Sequence, residues 1–181
     1  MLSGCSTTST QPEPPPTTSQ SIDAELLADH DLAGLDAAQI IERLDTMPGA
    51  ERPSDLIASV QPDALVLTDD QERETGLPMS DDEVFISIAP YREQTHGCHF
   101  HRLTTCLGEL ADAEVRITLT GENGEVLIDE ARQTYDNGFV GIWAPRSIEA
   151  TLTIEHEGQT DTATISTTDE DNPSCITLQL S

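Results

Sequence analysis

Residue types that bind metal ions are concentrated in one short stretch of this chain. Three histidines and two cysteines occur within eleven positions: His96, Cys98, His99, His101 and Cys106. The rest of the chain has only two further histidines and two further cysteines. Thiolate and imidazole groups are ligands for soft and borderline metal ions, so this clustering predicts a metal site. The spacing is not that of a zinc finger, because no close cysteine pair is matched by a second one.

The number of cysteines limits how they can pair. If Cys5 carries a lipid, then Cys98, Cys106 and Cys175 remain, and at least one of these thiols stays outside any internal disulfide. A secreted protein rarely keeps a spare thiol without a use for it. Three thiolates, or two thiolates with one histidine, would form a low-coordinate site suited to Cu(I).

A disulfide between Cys98 and Cys106 is an alternative interpretation of the same residues. It would close a short loop, the neighbouring histidines would be solvated, and the protein would be a disulfide-stabilised structural lipoprotein. The two interpretations are compatible, because a dithiol that becomes a disulfide releases two electrons and thiolates readily reduce Cu(II). An envelope thiol oxidoreductase that reduces Cu(II) is therefore a further hypothesis, although binding is favoured over enzymatic turnover.

Regular strand geometry would separate the two kinds of ligand. In a hairpin centred near Arg102, Cys98 would face Cys106, whereas His99 and His101 would point to the opposite face. A site that uses cysteines and histidines together therefore needs irregular backbone, which the glycine before the first cysteine permits. The last cysteine begins an apolar strand pattern and is expected at the rim of a sheet, from which it can approach the loop.

The charge of the chain excludes several classes of function. Its 34 acidic residues oppose 8 basic ones, all of them arginine, and the formal net charge is −26. A nucleic acid and an anionic membrane surface would both repel such a chain. The absence of lysine also excludes Schiff-base catalysis and Walker-type phosphate binding.

The amino terminus has the pattern of the end of a lipoprotein signal. In Leu2-Ser3-Gly4-Cys5, a branched apolar residue and two small ones precede a cysteine that would be lipidated. Ser, Thr, Gln and Pro dominate residues 6–21, a composition that behaves as a semi-stiff tether. Residues 1–22 therefore predict a membrane anchor and tether in an oxidising, extracytoplasmic compartment. An ordinary tail with a chance cysteine is the alternative.

The elements that must position the loop fall into two groups, of which the first is helical. In residues 23–80, Asp36 can cap a helix whose apolar residues recur at three- and four-residue spacing. A shorter helix is expected from Ser54 to Val60, and residues 64–68 form a short apolar run that is compatible with a strand. The apolar stripe of the first helix is expected either to pack on a sheet or to form a homodimer.

The second group, residues 81–181, alternates between apolar and polar positions as β-strands do. Roughly seven short strands are separated by turn signals such as Glu122-Asn123-Gly124 and Asp136-Asn137-Gly138. This spacing predicts a small antiparallel β-sandwich or barrel. The predicted fold class is therefore α+β, with a small N-terminal helical segment followed by an antiparallel β domain that carries the Cys/His loop.

A set of motifs extends from the first of these strands to the last. They are Ser87-Ile-Ala-Pro-Tyr91, Thr95-His-Gly-Cys98, Leu103-Thr-Thr-Cys106-Leu-Gly-Glu-Leu110, Asp136-Asn-Gly-Phe139, Trp143-Ala-Pro-Arg146 and Cys175-Ile-Thr-Leu-Gln-Leu180. Together they resemble the CueP family of bacterial envelope copper-binding proteins. The resemblance covers about residues 54–181 and includes the spacing of three cysteines, so it is specific.

The resemblance implies an extracytoplasmic protein that binds copper, acts in copper resistance or delivery, and has a copper-receiving or thiol-reducing partner. Members of the family have been associated with the reduction of Cu(II) to Cu(I). The family's cysteine trio and the histidine of its Thr-His pair carry over, whereas the other two histidines lie in a more variable stretch. The strong acidity and the lipoprotein signal suggest a surface-anchored version. The predicted copper ligands are Cys98, Cys106, Cys175, His96, His99 and His101.

Overall fold

The computed structural model of the protein describes residues 18–169 and 172–181. The lipidation site predicted at Cys5 and most of the predicted tether lie outside the described residues. The helices are α1 (Thr18–Asp29), α2 (Ala37–Asp45) and a short 3-10 helix (Gly49–Glu51). The strands are β1 (Leu56–Val60), β2 (Ala64–Asp69), β3 (Glu74–Pro78), β4 (Glu83–Tyr91), β5 (Glu114–Gly121), β6 (Val126–Gln133), β7 (Val140–Pro145), β8 (Glu149–His156), β9 (Gln159–Ser166) and β10 (Cys175–Gln179). Within the described part of the chain, no helix has the length and apolar character needed to cross a bilayer.

Helix α2 forms as its sequence pattern predicts. Asp36 caps it, because its Oδ1 accepts the Gln39 N–H at 2.9 Å while Gln39 Oε1 accepts the Asp36 N–H at 3.0 Å. Ile40, Ile41 and Leu44 form the buried stripe at the expected three- and four-residue spacing. The stripe thus fixes which face of α2 turns toward the rest of the protein.

The helix predicted from Ser54 to Val60 is wrong, because this segment contains strand β1. β1, β2 and β3 form an antiparallel sheet in that order, so the strand expected near residues 64–68 is confirmed as β2. Leu56 and Ala58 are buried while the residue between them is exposed, which is the alternation of a strand with one covered face. Residues 23–80, which were predicted to be mainly helical, therefore contain helices up to Glu51 and strands from Leu56 onward.

One apolar core holds the N-terminal elements together and joins them to the rest of the chain. Leu26 of α1 is fully buried in this core with the stripe of α2 and the inner faces of β1 and β2. Phe85, Leu103 and Trp143, which follow later in the chain, pack into the same core. The burial of Leu26 stabilises α1, which begins at Thr18 and not after the predicted tether end at residue 22. The stripe of α2 is covered within the chain, and the homodimer remains a prediction.

The seven strands from β4 onward form the antiparallel β domain that the alternating pattern predicts. One sheet has the order β10-β4-β7 and the other the order β6-β5-β8-β9. Aliphatic side chains from both sheets share one core, in which Ile88, Ile117 and Leu152 are fully buried. The two sheets therefore pack face to face as a sandwich.

One strand pair departs from the antiparallel prediction. β10 pairs with β4 in parallel, with Cys175 opposite Ser87 and Leu178 opposite Pro90. β9 lies in the other sheet, so β10 does not form a hairpin with the strand before it, and its partner is β4, which is distant in sequence. Cys175 begins the edge strand of its sheet and therefore lies at the rim, as the sequence predicts.

Candidate metal centre

One carboxylate closes the ends of the Cys/His loop between β4 and β5. Glu109 Oε2 accepts the backbone N–H groups of Arg92, Glu93 and Gln94 at 2.9, 3.0 and 3.1 Å. These hydrogen bonds lower the pKa of Glu109 because they stabilise its ionised form. The loop is fully described and contains no strand of its own, so contacts of this kind define its shape.

Backbone hydrogen bonds fix the middle of the loop between two neighbouring strands. On one side, β1 pairs with His101 and Leu103 through hydrogen bonds of 2.8 and 2.9 Å. On the other side, the N–H groups of Ser174 and Cys175 donate to the carbonyl oxygen of His99 at 2.9 and 3.1 Å. The loop therefore lies between the N-terminal sheet and the edge strand of the sandwich, and Cys175 is brought next to it.

Two glycines let the far end of the loop lie against a turn of the sandwich. The Gly108 N–H donates to the Asn137 carbonyl at 2.6 Å. Gly138 has a φ of +76°, and a Cβ at this position would lie 2.6 Å from the backbone of Gly108. Glycine is therefore required at both positions for the turn to place the buried Phe139 against Cys106.

The disulfide of the protein joins Cys98 to Cys175. The Cys98–Cys106 pairing, which the sequence offered as an alternative, is therefore wrong. The reason is the position of β10, which places the Cα atoms of Cys98 and Cys175 5.6 Å apart, an ordinary separation for a disulfide. Cys106 keeps a buried free thiol, so it is the odd cysteine of the trio.

The sulfur of Cys106 lies beside this disulfide. Its Sγ is 3.8 Å from Cys98 Sγ and accepts the Arg102 N–H at 3.4 Å. Cys106 and Cys175 are 8% and 3% exposed, and Phe139 packs against them. The three predicted cysteine ligands are thus brought together in one largely apolar cluster.

Two of the three loop histidines reach the sulfur cluster. Ligand atoms of His96, Cys98 and Cys106 all lie within 4.8 Å of one another. A ring nitrogen of His101 and the sulfurs of Cys98 and Cys175 form a second such group. His96 is exposed at the mouth of the cluster, whereas His101 is fully buried at its base. The irregular backbone of the loop therefore places histidines and cysteines on the same side.

The structure does not bring His99 into the predicted ligand set. Its side chain is exposed and belongs to neither of the ligand groups found among the described residues. The ring lies edge-on to Phe100, with ring centroids 4.6 Å apart. Because the carbonyl of His99 accepts the hydrogen bonds from the start of β10, this residue positions the loop through its backbone.

Two buried polar residues outside the loop contact its base, and neither was predicted from the sequence. Asp45 Oδ1 lies 3.0 Å from His101 Nε2 and accepts the Asn137 side-chain N–H at 3.0 Å. Asp45 and Asn137 are each 1% exposed. Asp45 continues the apolar stripe of α2, following Ile41 by four positions. A carboxylate on the buried face of a helix needs a polar partner. The position of Asp45 on the apolar stripe is therefore the sequence signal that could have identified it as a site residue.

The surroundings of Cys106 favour its thiolate. Burial raises the pKa of this thiol, but the imidazoles of His101 and His96 and the Arg102 N–H outweigh burial and lower the pKa to about 7. Burial also lowers the pKa of His101, but Asp45 and Cys106 outweigh it and raise that pKa above its usual value. The site therefore presents a sulfur that can act as a nucleophile or as a metal ligand near neutral pH.

We expect the ultraviolet absorbance of the Cys106 thiolate to rise with pH through a midpoint of about 7 in the disulfide-bonded protein. In His101→Ala the midpoint should move upward, because the group that stabilises the thiolate is removed. A Cys5→Ser background removes the other thiol, and Cys106→Ser gives the blank. A midpoint near the ordinary value of 9.0, or no shift in His101→Ala, would contradict this prediction.

The arrangement can exist in a disulfide form and in a three-thiol form. In the disulfide form, Cys106 offers one thiolate beside two imidazoles. Reduction of the Cys98–Cys175 bond gives two further thiolates in the same cluster. Three thiolates with an adjacent imidazole are the donors that Cu(I) prefers.

Comparisons with known proteins agree with the motifs and the geometry. The family model described as periplasmic copper-binding protein CueP matches residues 39–179. A solved structure named "Crystal Structure of S.CueP" is 35% identical, covers 88% of this chain and 97% of that chain, and superposes with a TM-score of 0.81. No match was found among the curated proteins. The chain therefore belongs to the CueP family of periplasmic copper-binding proteins.

Proposed function

We propose that the protein holds Cu(I) with the thiolates of Cys98, Cys106 and Cys175, and that it serves copper resistance or copper delivery. The observation that carries this proposal is the convergence of the three sulfurs, with Cys106 Sγ 3.8 Å from Cys98 and Cys98 bonded to Cys175. Cu(I) is a soft ion that favours thiolates, so the many carboxylates of the chain do not compete for it. Membership of the CueP family supports copper as the cargo.

We assign different roles to the two histidines of the cluster. His96 lies at the exposed mouth and is proposed to meet incoming Cu(II), for which imidazole is a suitable ligand. His101 lies at the buried base and is proposed to complete the coordination of Cu(I). The net charge of −26 raises the local concentration of any cation near the protein. His99 is left out of the proposed ligand set because its ring belongs to neither ligand group found among the described residues.

An anaerobic Cu(I) titration against a competing chelator tests this function. We expect the fully reduced protein to bind one Cu(I) tightly, with the three thiols protected from alkylation. The disulfide-bonded protein is the matched control and should bind more weakly, because it offers one thiolate in place of three. Equal affinity of the two forms, or failure of the reduced form to compete with the chelator, would contradict the proposal.

Reduction of Cu(II) is a second candidate function, and the Cys98–Cys175 disulfide favours it. Oxidation of these two thiolates to the disulfide releases two electrons, which convert two Cu(II) ions to two Cu(I) ions. Repeated turnover then needs an external thiol or a thiol-reducing partner protein. Counting the Cu(I) formed with and without an added thiol reductant separates a single stoichiometric reduction from repeated turnover. If the Cu(I) formed never exceeds the number of protein thiols even with the reductant, turnover is excluded.

We further propose that a lipid on Cys5 anchors the protein to the cell envelope. The signal-like pattern before this cysteine and the Ser/Thr/Pro-rich composition after it support the proposal. Expression in a bacterial host with a labelled fatty acid tests it, with charged and apolar signal regions placed before Leu2 in both proteins. We expect label and membrane association in the wild type and neither in Cys5→Ser, whereas label in both proteins would contradict the anchor.

A further inference from the structure

We propose that Asp45 is a positioning residue of the copper site, whose carboxylate holds one ring nitrogen of His101 so that the other faces the sulfur cluster. This inference rests on the proposed function, since it concerns the orientation of a proposed copper ligand. It also makes helix α2, which carries Asp45 as its last residue, a part of the site.

Two donors converge on one oxygen of Asp45. His101 Nε2 and Asn137 Nδ2 each lie 3.0 Å from Asp45 Oδ1. The side chains of Asp45 and His101 are 2% and 0% exposed, so water does not compete for these hydrogen bonds. Asn137 is itself fixed, because its Oδ1 accepts the Phe139 N–H at 3.0 Å. Three segments therefore meet at this carboxylate: α2, the Cys/His loop and the turn before β7.

The chemistry of a carboxylate determines which nitrogen of His101 stays free. An ionised carboxylate only accepts hydrogen bonds, so the proton of a neutral ring must lie on Nε2. Nδ1 then keeps its lone pair, and although it is buried it has no nitrogen or oxygen partner among the described residues. Buried polar atoms are normally paired, so an unpaired ring nitrogen calls for an explanation, and a bound metal ion would supply one.

The ring of His101 is held within reach of the sulfurs. One of its nitrogens lies within 4.8 Å of the sulfurs of Cys98 and Cys175. Phe139 packs against the imidazole with ring centroids 4.5 Å apart, which restricts rotation of the ring. Since Asp45 holds Nε2, Nδ1 is the nitrogen that can bind a metal ion. Metal-binding histidines commonly donate their other N–H to a carboxylate in this way.

Arg52 lies beside Asp45 and offsets part of the cost of burying its carboxylate. Its Nη2 donates to the Asp45 carbonyl at 2.8 Å and its Nε donates to the Met47 carbonyl at 3.0 Å, which places the guanidinium at the end of α2. Asp45 Oδ2 has no hydrogen-bond donor among the described residues, so attraction to Arg52 offsets only part of the cost of burial. A buried carboxylate retained at such a cost is better explained by the orientation of His101 than by stability.

Nitrogen NMR of the His101 side chain tests the inference on the reduced, copper-free protein. At a pH where the ring is neutral, we expect the proton on Nε2, and an unprotonated Nδ1 signal that moves when Cu(I) is added. In Asp45→Ala the acceptor is lost, so both tautomers should appear and the Cu(I) affinity should fall by roughly 10–100-fold. A proton on Nδ1 in the wild type, or an unchanged tautomer in Asp45→Ala, overturns the inference.

Two further variants separate positioning from stability. Asp45→Asn keeps an oxygen that can accept both hydrogen bonds, so it should retain the wild-type tautomer and lose less affinity than Asp45→Ala. Asp69, the last residue of β2, is another buried carboxylate, and its Oδ2 lies 2.6 Å from Arg73 Nε. Asp69→Asn removes its charge. This variant should lower thermal stability without changing the tautomer or the Cu(I) affinity. Equal effects of Asp69→Asn and Asp45→Ala on the tautomer and affinity would assign both to stability and overturn the inference.

The outcomes distinguish this inference from the copper site on which it rests. If His101 has the expected tautomer but Cu(I) shifts neither Nδ1 nor the cysteine signals, the copper site fails and the orientation by Asp45 stands. If the cysteine variants lose Cu(I) while Asp45→Ala keeps wild-type affinity and tautomer, the copper site stands and the role of Asp45 fails.

Discussion

Replacing Cys106 by serine is expected to lower the affinity of the reduced protein for Cu(I) by far more than the roughly 10–100-fold loss that outer-shell changes cause. In the disulfide-bonded protein, neighbouring groups lower the pKa of Cys106 to about 7, so its surroundings already favour the thiolate that Cu(I) binding would need. A serine hydroxyl is a hard, protonated group and does not replace a soft thiolate. Competition titration of fully reduced variants measures the difference directly.

Histidine variants of the same loop give the matched controls for this prediction. His99→Ala should leave Cu(I) affinity unchanged, because its exposed side chain lies outside both ligand groups. His101→Ala should weaken binding less than Cys106→Ser, since imidazole is the less preferred donor for Cu(I). Wild-type affinity in Cys106→Ser, or an equal loss in His99→Ala, would contradict the assignment of the sulfur cluster as the site.

Several strands of the sandwich could be predicted from a two-residue period, whereas β6 and β7 were located by the turn signals that precede them. The N-terminal sheet was partly missed, since Leu56–Val60 is too short for periodicity to separate a strand from a helix. Ser54 also resembled a helix cap, although the burial of Leu56, Ala58 and Val60 is that of a strand. The physical reason for the strand is the neighbouring β2, with which it pairs along its whole length.

The clustering of ligands could be predicted from the sequence, whereas the pairing of the cysteines could not. Cys98 and Cys175 are 77 residues apart and meet because β10 pairs with β4 in parallel. Parallel pairing depends on a long connection and leaves no local signal in the sequence. The odd number of cysteines therefore predicts one free thiol without identifying Cys106 as that thiol.

The role of Asp45 shows a different limit. The stripe of α2 could be predicted from apolar residues, and a carboxylate that extends it looks like an ordinary polar position at the end of a helix. Its partner His101 follows 56 positions later in the chain. Only the packing of α2 against the loop makes this carboxylate buried, so its function depends on tertiary structure.

With Cys175 replaced by serine, we expect the oxidised protein to contain a Cys98–Cys106 disulfide. Cys98 then loses its present partner and lies 3.8 Å from the sulfur of Cys106, which is a thiolate near neutral pH. Of Cys98, Cys106 and Cys175, one is a free thiol in the wild type, whereas the oxidised variant would have no free thiol among the two that remain. Peptide mapping by mass spectrometry, after alkylation of the remaining thiols, identifies the pair.

Cys106→Ser is the matched variant, because it should keep the Cys98–Cys175 disulfide of the wild type. If Cys175→Ser instead resists a mild oxidant and keeps both Cys98 and Cys106 open to alkylation, the loop holds these two sulfurs apart and the prediction is wrong. Formation of the new pair would establish that Cys98 can bond to either partner without rebuilding the loop. Since one ion can be shared only by sulfurs that approach one another this closely, the same result would also support the proposal that the reduced trio binds a single Cu(I).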